Sequence, residues 1–359
     1  MRGLALALVL VLHLVSGSLG PLRRVFGAGW VGVDLFFVLS GFLITRILRS
    51  SLESRSFFRN FYARRALRIW PLYLLILAFA FGGTRLLPTG MQIGPALLPF
   101  YLTFTQNLLS SIGFGPWALA VTWSLAIEEQ FYLVYPLSVR FLSQGGLVRL
   151  LLVLLVATPL ARLVALGHGI SPNTVYISTW YRLDTLAAGA LAALLVESPL
   201  RARAEQLSVP VSIGTLAVAA VSCCVCFGGD VLILEHSPIA GLRAVVYAFT
   251  FSIIAVGFAS LIVLAVSDRA PVLRWVLRNR SLRTLGKVSF GVYLIHGITI
   301  AIAQTIWRAW LHDAGLSGKA LSACVVIAAL GSALILAGIS WRFIEAPALR
   351  LRRLFPARD

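Results

Sequence analysis

Apolar runs close to twenty residues long recur along the whole chain, separated by short stretches rich in Arg, Gly and Pro. As a helix, a run of that length crosses the ~30 Å hydrocarbon core of a bilayer. Ten spans are predicted, at about 3–20, 31–48, 70–87, 121–141, 147–166, 178–196, 208–227, 243–266, 285–306 and 320–343. The stretch from Thr84 to Trp117 holds Pro88, Pro95 and Pro116 with several Gly, and is expected to be irregular or re-entrant on the outer side. The pattern predicts an all-α, polytopic transmembrane bundle over residues 1–345 and a basic tail over 346–359, with no soluble domain before or after the membrane core. The two halves show no internal repeat, which counts against a transporter built from duplicated bundles.

Composition strengthens the membrane reading. Of 359 residues, 59% are hydrophobic and 12% charged, with a mean hydropathy of +0.91, where a soluble domain is about half apolar and a quarter charged. Charge then orients the bundle. When the connecting segments are assigned alternately to two sides, one side gathers 23 of the 31 basic residues. By the positive-inside rule that side, with both termini, is cytoplasmic. The net charge of +18 is read as a cytoplasmic face meeting anionic lipid and phosphates, not as a nucleic-acid surface.

The N-terminus has some marks of a signal peptide, namely Met1-Arg2, an apolar run and Ser16-Gly17-Ser18. His13 interrupts the apolar run, so a retained first helix is expected. Cys223, Cys224, Cys226 and Cys324 have neither metal-ligand spacing nor the pattern of a disulfide framework, and are read as small buried hydrophobes. No metal site is expected.

An ionisable group inside a span is costly unless it is paired or faces a wet cavity, so each one is a functional candidate. His13 lies eleven residues beyond Arg2, ~16 Å along a helix and near mid-bilayer. His296 is equally far into its own span. Asp34, Glu128 (with Glu129) and the pair Arg182 and Asp184 descend from the outer surface. Together they suit a cleft in which an imidazole acts as general base. Simpler roles stand beside this one: Asp34 as a helix cap, Arg182–Asp184 as a structural ion pair, Glu129 facing headgroups and His296 as a core histidine.

The segment Phe57 to Pro71 reads as a cytoplasmic basic loop, in which Arg65 and Arg68, three apart, would share one face of a helix at the mouth of the third span. Guanidinium groups match phosphate geometry. The alternative is a positive-inside anchor with an aromatic belt.

These motifs, in this order, resemble the acyltransferase 3 family of membrane O-acyltransferases. The resemblance rests on Arg2 and His13 in the first helix and on Gly29-Trp30-Val31-Gly32-Val33-Asp34-Leu35-Phe36-Phe37 through Ser40-Gly41-Phe42 in the second. It continues through Arg65-Ala66-Leu67-Arg68, Thr122-Trp123-Ser124 through Glu128-Glu129-Gln130-Phe131-Tyr132, and Arg182-Leu183-Asp184 with Gly189. Leu285-Gly286-Lys287-Val288-Ser289-Phe290-Gly291-Val292-Tyr293-Leu294-Ile295-His296 and Phe343-Ile344-Glu345-Ala346-Pro347 complete the set. Phe290 stands where that family commonly has an aromatic hydroxyl, and Ala346 where it commonly has Arg. The first Arg stands at position 2, without the short cytoplasmic lead usual before it, which puts the start codon in question, and the family's occasional extracytoplasmic esterase-like extension is not expected.

The resemblance implies an enzyme of the bacterial cytoplasmic (inner) membrane, with no permanently bound cofactor and with an acyl-CoA, usually acetyl-CoA, as donor from the cytoplasm. The acceptor would be a hydroxyl of a cell-surface glycan or its lipid-linked precursor, or of a small molecule. On this view Arg65 and Arg68, with Arg2, hold the donor's phosphates. His13 takes the acceptor's proton while Glu128 or Asp34 orients it, or becomes acylated itself, and Trp123, Ser124 or Tyr293 supplies the oxyanion donor. Tyr132, Arg182, Asp184 and His296 would shape the cleft. The rival from another class is a transporter or flippase that uses the same histidines and carboxylates as a proton relay.

Overall fold

The computed structural model describes residues 1–15, 27–83, 93–109, 119–227 and 241–356. The helices are α1 (Arg2–Val15), α2 (Val31–Arg49), α3 (Phe57–Gly82), the short α4 (Leu98–Leu102), α5 (Thr122–Phe141) and α6 (Gln144–Gly167). They continue with the short α7 (Pro172–Ile177), α8 (Leu183–Val196), α9 (Arg201–Phe227), α10 (Gly241–Val266), α11 (Pro271–Leu277) and α12 (Arg280–Ile302). After α12 come α13 (Arg308–Asp313), α14 (Gly318–Ser340) and α15 (Ala346–Arg350). Two π-helical turns, Ala303–Trp307 and Trp341–Glu345, join α12 to α13 and α14 to α15. No strand occurs among the described residues, and the protein is all-α and polytopic.

Among the described residues, seven helical stretches are long and apolar enough to cross a bilayer, and α1 and α8 are shorter apolar helices. Helix α5 has 20 residues but carries Glu128, Glu129 and Arg140. Large apolar side chains on the outer faces of the long helices are exposed, among them Leu152, Val153, Val156, Leu160 and Val164 along α6. Such faces are stable only against hydrocarbon.

The basic segment expected as a loop is helical. Helix α3 begins at Phe57 and runs through Pro71 to Gly82, so the arginines occupy its first turns. No Gly or Pro interrupts residues 57–70, and Arg, Ala and Leu are strong helix formers. Of the stretch expected to be irregular, residues 93–109 form short helical turns around α4, while 84–92 and 110–118 lie outside the described residues.

The chain divides into two compact units. The first comprises residues 1–9, 24–52 and 127–286. Its centre is the crossing of α2 and α8, made possible by two glycines: a methyl at Gly41 would collide with the Leu186 carbonyl, and one at Gly189 with that of Val38. Helices α6 and α10 pack on α8, and α9 pairs with α10. Local capping sets the starts of α6 and α7, where Ser143 Oγ accepts from the Gly146 N–H and Ser171 Oγ from the Thr174 N–H, each at 3.1 Å.

The second unit comprises residues 10–23, 53–126 and 287–359. Tyr73 of α3 donates to the Tyr101 carbonyl at 2.8 Å, and its ring stacks on Phe104 with centroids 4.7 Å apart. Phe104 adopts a left-handed backbone, φ 54°, uncommon for a bulky residue. Gln106 Nε2 reaches the Thr122 carbonyl at 3.0 Å, tying this segment to the start of α5.

Candidate active site

Four charged side chains are completely buried in the first unit: Asp34, Arg162, Arg182 and Asp184. The sequence suggested that Arg182 and Asp184 pair with each other, or that Asp34 caps its helix. Instead, Arg182 Nη2 meets Asp34 Oδ1 at 2.5 Å, and Arg162 holds Asp184 through Nη1–Oδ1 (3.1 Å) and Nη2–Oδ2 (2.7 Å). Arg162 also donates to the carbonyls of Ala248 (2.7 Å) and Tyr181 (2.6 Å), and Ser252 Oγ donates to Asp184 Oδ2 at 2.5 Å. Every N–H direction used by Arg162 thus finds an acceptor, as an ion in an apolar interior requires.

Arg182 is satisfied differently. Its Nε and Nη1 make no hydrogen bond, and the guanidinium stands over aromatic faces, 4.4 Å from the Phe251 centroid, 5.1 Å from Tyr176 and 5.5 Å from Phe37. Phe251 also lies 5.3 Å from the Arg162 guanidinium, and Trp30 packs edge-on against it at 5.4 Å. The ring quadrupoles take part of the role that water would have.

Along α5 a second set of polar contacts in this unit begins at Glu128, which accepts from Ser40 Oγ of α2 at 2.5 Å. One residue pair further down, Gln130 Oε1 accepts from Thr179 Oγ1 at 2.5 Å, and Tyr135 and Thr45 share a hydrogen bond of 2.8 Å. Glu128 is only half-buried, so its carboxylate is engaged by one neutral hydroxyl and is closer to the surface than either aspartate. Tyr132 is buried one turn beyond it, with its ring edge-on to Phe131 at 6.2 Å.

Within the second unit, Ser124, Tyr293 and His296 form a separate polar group. Tyr293 Oη lies 2.6 Å from Ser124 Oγ and donates more weakly to the Val121 carbonyl at 3.3 Å. His296 is buried, its Nδ1 2.6 Å from the Tyr293 carbonyl. A carbonyl has no proton to give, so Nδ1 carries the hydrogen and Nε2 is the basic nitrogen of the neutral ring. Trp123 is buried beside Ser124 on α5.

His13 falls on the last turn of α1, and its side chain lies outside the described residues, as do those of Cys223, Cys224 and Cys226. Arg2 opens α1, and Gly3 beside it admits the Leu282 carbonyl at the start of α12. Arg65 and Arg68 lie on the first half of α3, three residues apart on neighbouring turns of one face. Among the described residues no group of His, Cys, Asp and Glu could hold a metal ion.

Sequence reasoning did not single out Arg162 or Ser40. Arg162 had a readable signal, since it lies inside an apolar span in the same way as the residues that were flagged. Ser40 lay within the motif that carries the resemblance but was given no role, because a hydroxyl in a membrane helix ordinarily bonds back to its own helix.

The chain matches the profile of the acyltransferase 3 family, described as an acyltransferase domain, over residues 1–342, and it belongs to that family. It is similar to the peptidoglycan O-acetyltransferase OatA of Listeria monocytogenes, with 28% identity over 97% of this chain and 54% of the relative. It is also similar to the O-acetyltransferase OatA of Staphylococcus aureus, with 28% identity over 97% of this chain and 56% of the relative. The putative peptidoglycan O-acetyltransferase YrhL of Bacillus subtilis is 29% identical over 89% of this chain and 50% of the relative. The chain spans about half the length of the curated relatives it matches. No solved structure matches it.

Proposed function

We propose that the protein is an O-acetyltransferase of the bacterial cytoplasmic membrane that moves an acetyl group from acetyl-CoA, bound from the cytoplasm, to a hydroxyl of a cell-wall glycan. The observation that carries this reading is the family match over nearly the whole chain. The relatives' names supply the glycan. In the chemistry proposed, neutral His13 removes the proton of the acceptor hydroxyl as its oxygen attacks the thioester carbonyl. The resulting tetrahedral oxyanion is stabilised by a hydroxyl donor, for which the Tyr293–Ser124 pair is suited. Collapse breaks the C–S bond, and the departing CoA thiolate takes the proton from the imidazolium, which returns His13 to its neutral form. Glu128 or Asp34 is the carboxylate proposed to orient that imidazole. Arg65 and Arg68 bind the donor's phosphates, with Arg2 adding charge.

His296 is the second candidate for the base, since its Nδ1–H is fixed by the Tyr293 carbonyl and Nε2 is left with the lone pair. The test is the purified chain in liposomes with acetyl-CoA carrying a labelled acetyl group and a soluble peptidoglycan fragment. Label on the glycan, or slow CoA release without it, supports the reading. Solute flux with neither would replace it by the transporter reading.

A further inference from the structure

Helix α11 sits on the link of residues 267–279 between α10 and α12, two of the stretches long and apolar enough to cross a bilayer. At seven residues it is only ~10 Å long, so it stays at the bilayer boundary where its neighbours end. Val272, Trp275 and Val276 fall at i, i+3 and i+4 and so share one face of the helix. Their exposures of 73%, 77% and 41% mean that no described part of the protein covers that face. It stands at the level where tryptophan and apolar side chains meet lipid headgroups.

The charge beside this face is of one sign. Residues 268–283 hold five arginines against one acid, Asp268. Arg274 Nη1 pairs with Asp268, and Arg269 reaches Glu205 at 3.6 Å. Arg278, Arg280 and Arg283 are exposed, and among the described residues no carboxylate pairs with them. The apolar face and the free charge meet in a cavity of about 330 Å³ lined by Trp275, Val276, Arg278, Asn279 and Leu282, within the range of ~300–1,000 Å³ that holds small ligands. Asn279 Oδ1 accepts from the Ser281 N–H at 2.9 Å, which fixes the amide and leaves Nδ2 as its donating end. The lining is therefore an apolar wall with a guanidinium and an amide donor and no acid. None of the chemistry assigned above uses it.

We infer that this cavity holds the headgroup of an anionic phospholipid, its phosphodiester at Arg278 and Asn279 and its glycerol and first acyl carbons along Trp275 and Val276. Guanidinium groups match phosphate oxygens in geometry and charge, and the wall takes the part of the lipid that a soluble anion lacks. Arg280 and Arg283 add positive charge at the rim, where a zwitterionic lipid would bring its own cation. The site thus selects lipids of net negative charge. It lies wholly within the first compact unit and does not depend on the reading of the catalytic residues.

The experiment reads the fluorescence of the full chain in phosphatidylcholine vesicles that contain either brominated phosphatidylglycerol or brominated phosphatidylcholine as quencher. The chain has nine tryptophans, so Trp275 is read as the difference between the parent and Trp275→Phe, and the remaining tryptophans report insertion. The mole fraction that half-quenches Trp275 is expected to be about tenfold lower for phosphatidylglycerol, and Arg278→Gln to cut that preference about fivefold, the effect of removing one basic side chain near an anionic surface. Arg278, Arg280 and Arg283 are exposed, so their replacement leaves the fold intact. Equal quenching by the two brominated lipids overturns the inference, and so does a preference that survives Arg278→Gln combined with Arg280→Gln and Arg283→Gln. Coenzyme A added to the vesicles is the last arm: unchanged quenching supports the lipid site, and relief of the quenching assigns the cavity to a nucleotide and overturns it.

Discussion

Arg182 and Asp184 are two residues apart, yet they belong to different ion pairs, one reaching Asp34 of α2 and the other Arg162 of α6. Arg182 caps α8 and Asp184 is the second residue of that helix, so the start of α8 is clamped through two separate ion pairs. Removing one partner strands a buried charge, which costs about 3–5 kcal/mol. Arg162→Met should therefore lose most of the protein's thermal stability in detergent, and Arg162→Met with Asp184→Leu should recover a large part of it. A single variant as stable as the parent would show that the pair contributes nothing net.

The same pairing depends on how closely α2 and α8 approach. Gly189→Ala places a methyl on the Val38 carbonyl, and the overpacking should cost about 1–3 kcal/mol. Gly214→Ala, where nothing lies within 4 Å of the new methyl, should be neutral or stabilising by about 0.5–1 kcal/mol. Equal melting shifts for the two variants would mean that the close crossing is not what holds this unit.

Catalysis should separate the two histidines. General-base catalysis supplies about 10²–10⁴-fold, so His13→Gln should lower labelled acetyl transfer by that factor with membrane insertion intact, while His296→Gln lowers it less. Glu128→Gln should reduce kcat with little change in KM for acetyl-CoA. Parental turnover in His13→Gln would move the base to His296.

Orientation is checked independently of chemistry. A reporter fused after Asp359 should read as cytoplasmic and one inserted near Glu235 as periplasmic. The opposite result at either place would reverse the donor side.

How much was legible depended on whether a property is local. The all-α, polytopic class could be read because each apolar run carries its own signal, and the exposed apolar residues of α6 follow directly from it. The pairing of Arg182 with Asp34 could not, because it joins positions 148 residues apart through a crossing that the small residues Gly41 and Gly189 permit but do not announce. The basic segment was expected as a loop because charge density outweighed helix propensity in the reading. The structure shows the reverse, with α3 extending through the arginines to Phe57. Arg68 could be read as a candidate from its spacing to Arg65. The C-terminal segment alongside it could not, since contacts of Asn60 with Pro356 span 296 residues.

The distance between Asp34 and Arg182 along the chain also has a consequence in time. At synthesis rates of about 5–20 residues per second, the 148 residues between them take about 7–30 s to make. For that interval the second helix has left the ribosome with an acid that belongs in the bilayer, while its cation is still to be translated. Insertion of α2 must therefore be held back, or proceed with the acid neutralised by a proton, until α8 emerges. A nascent chain released before residue 182 would keep the acid and never receive the arginine, so premature termination in the first half should send the product to degradation instead of leaving a stable fragment.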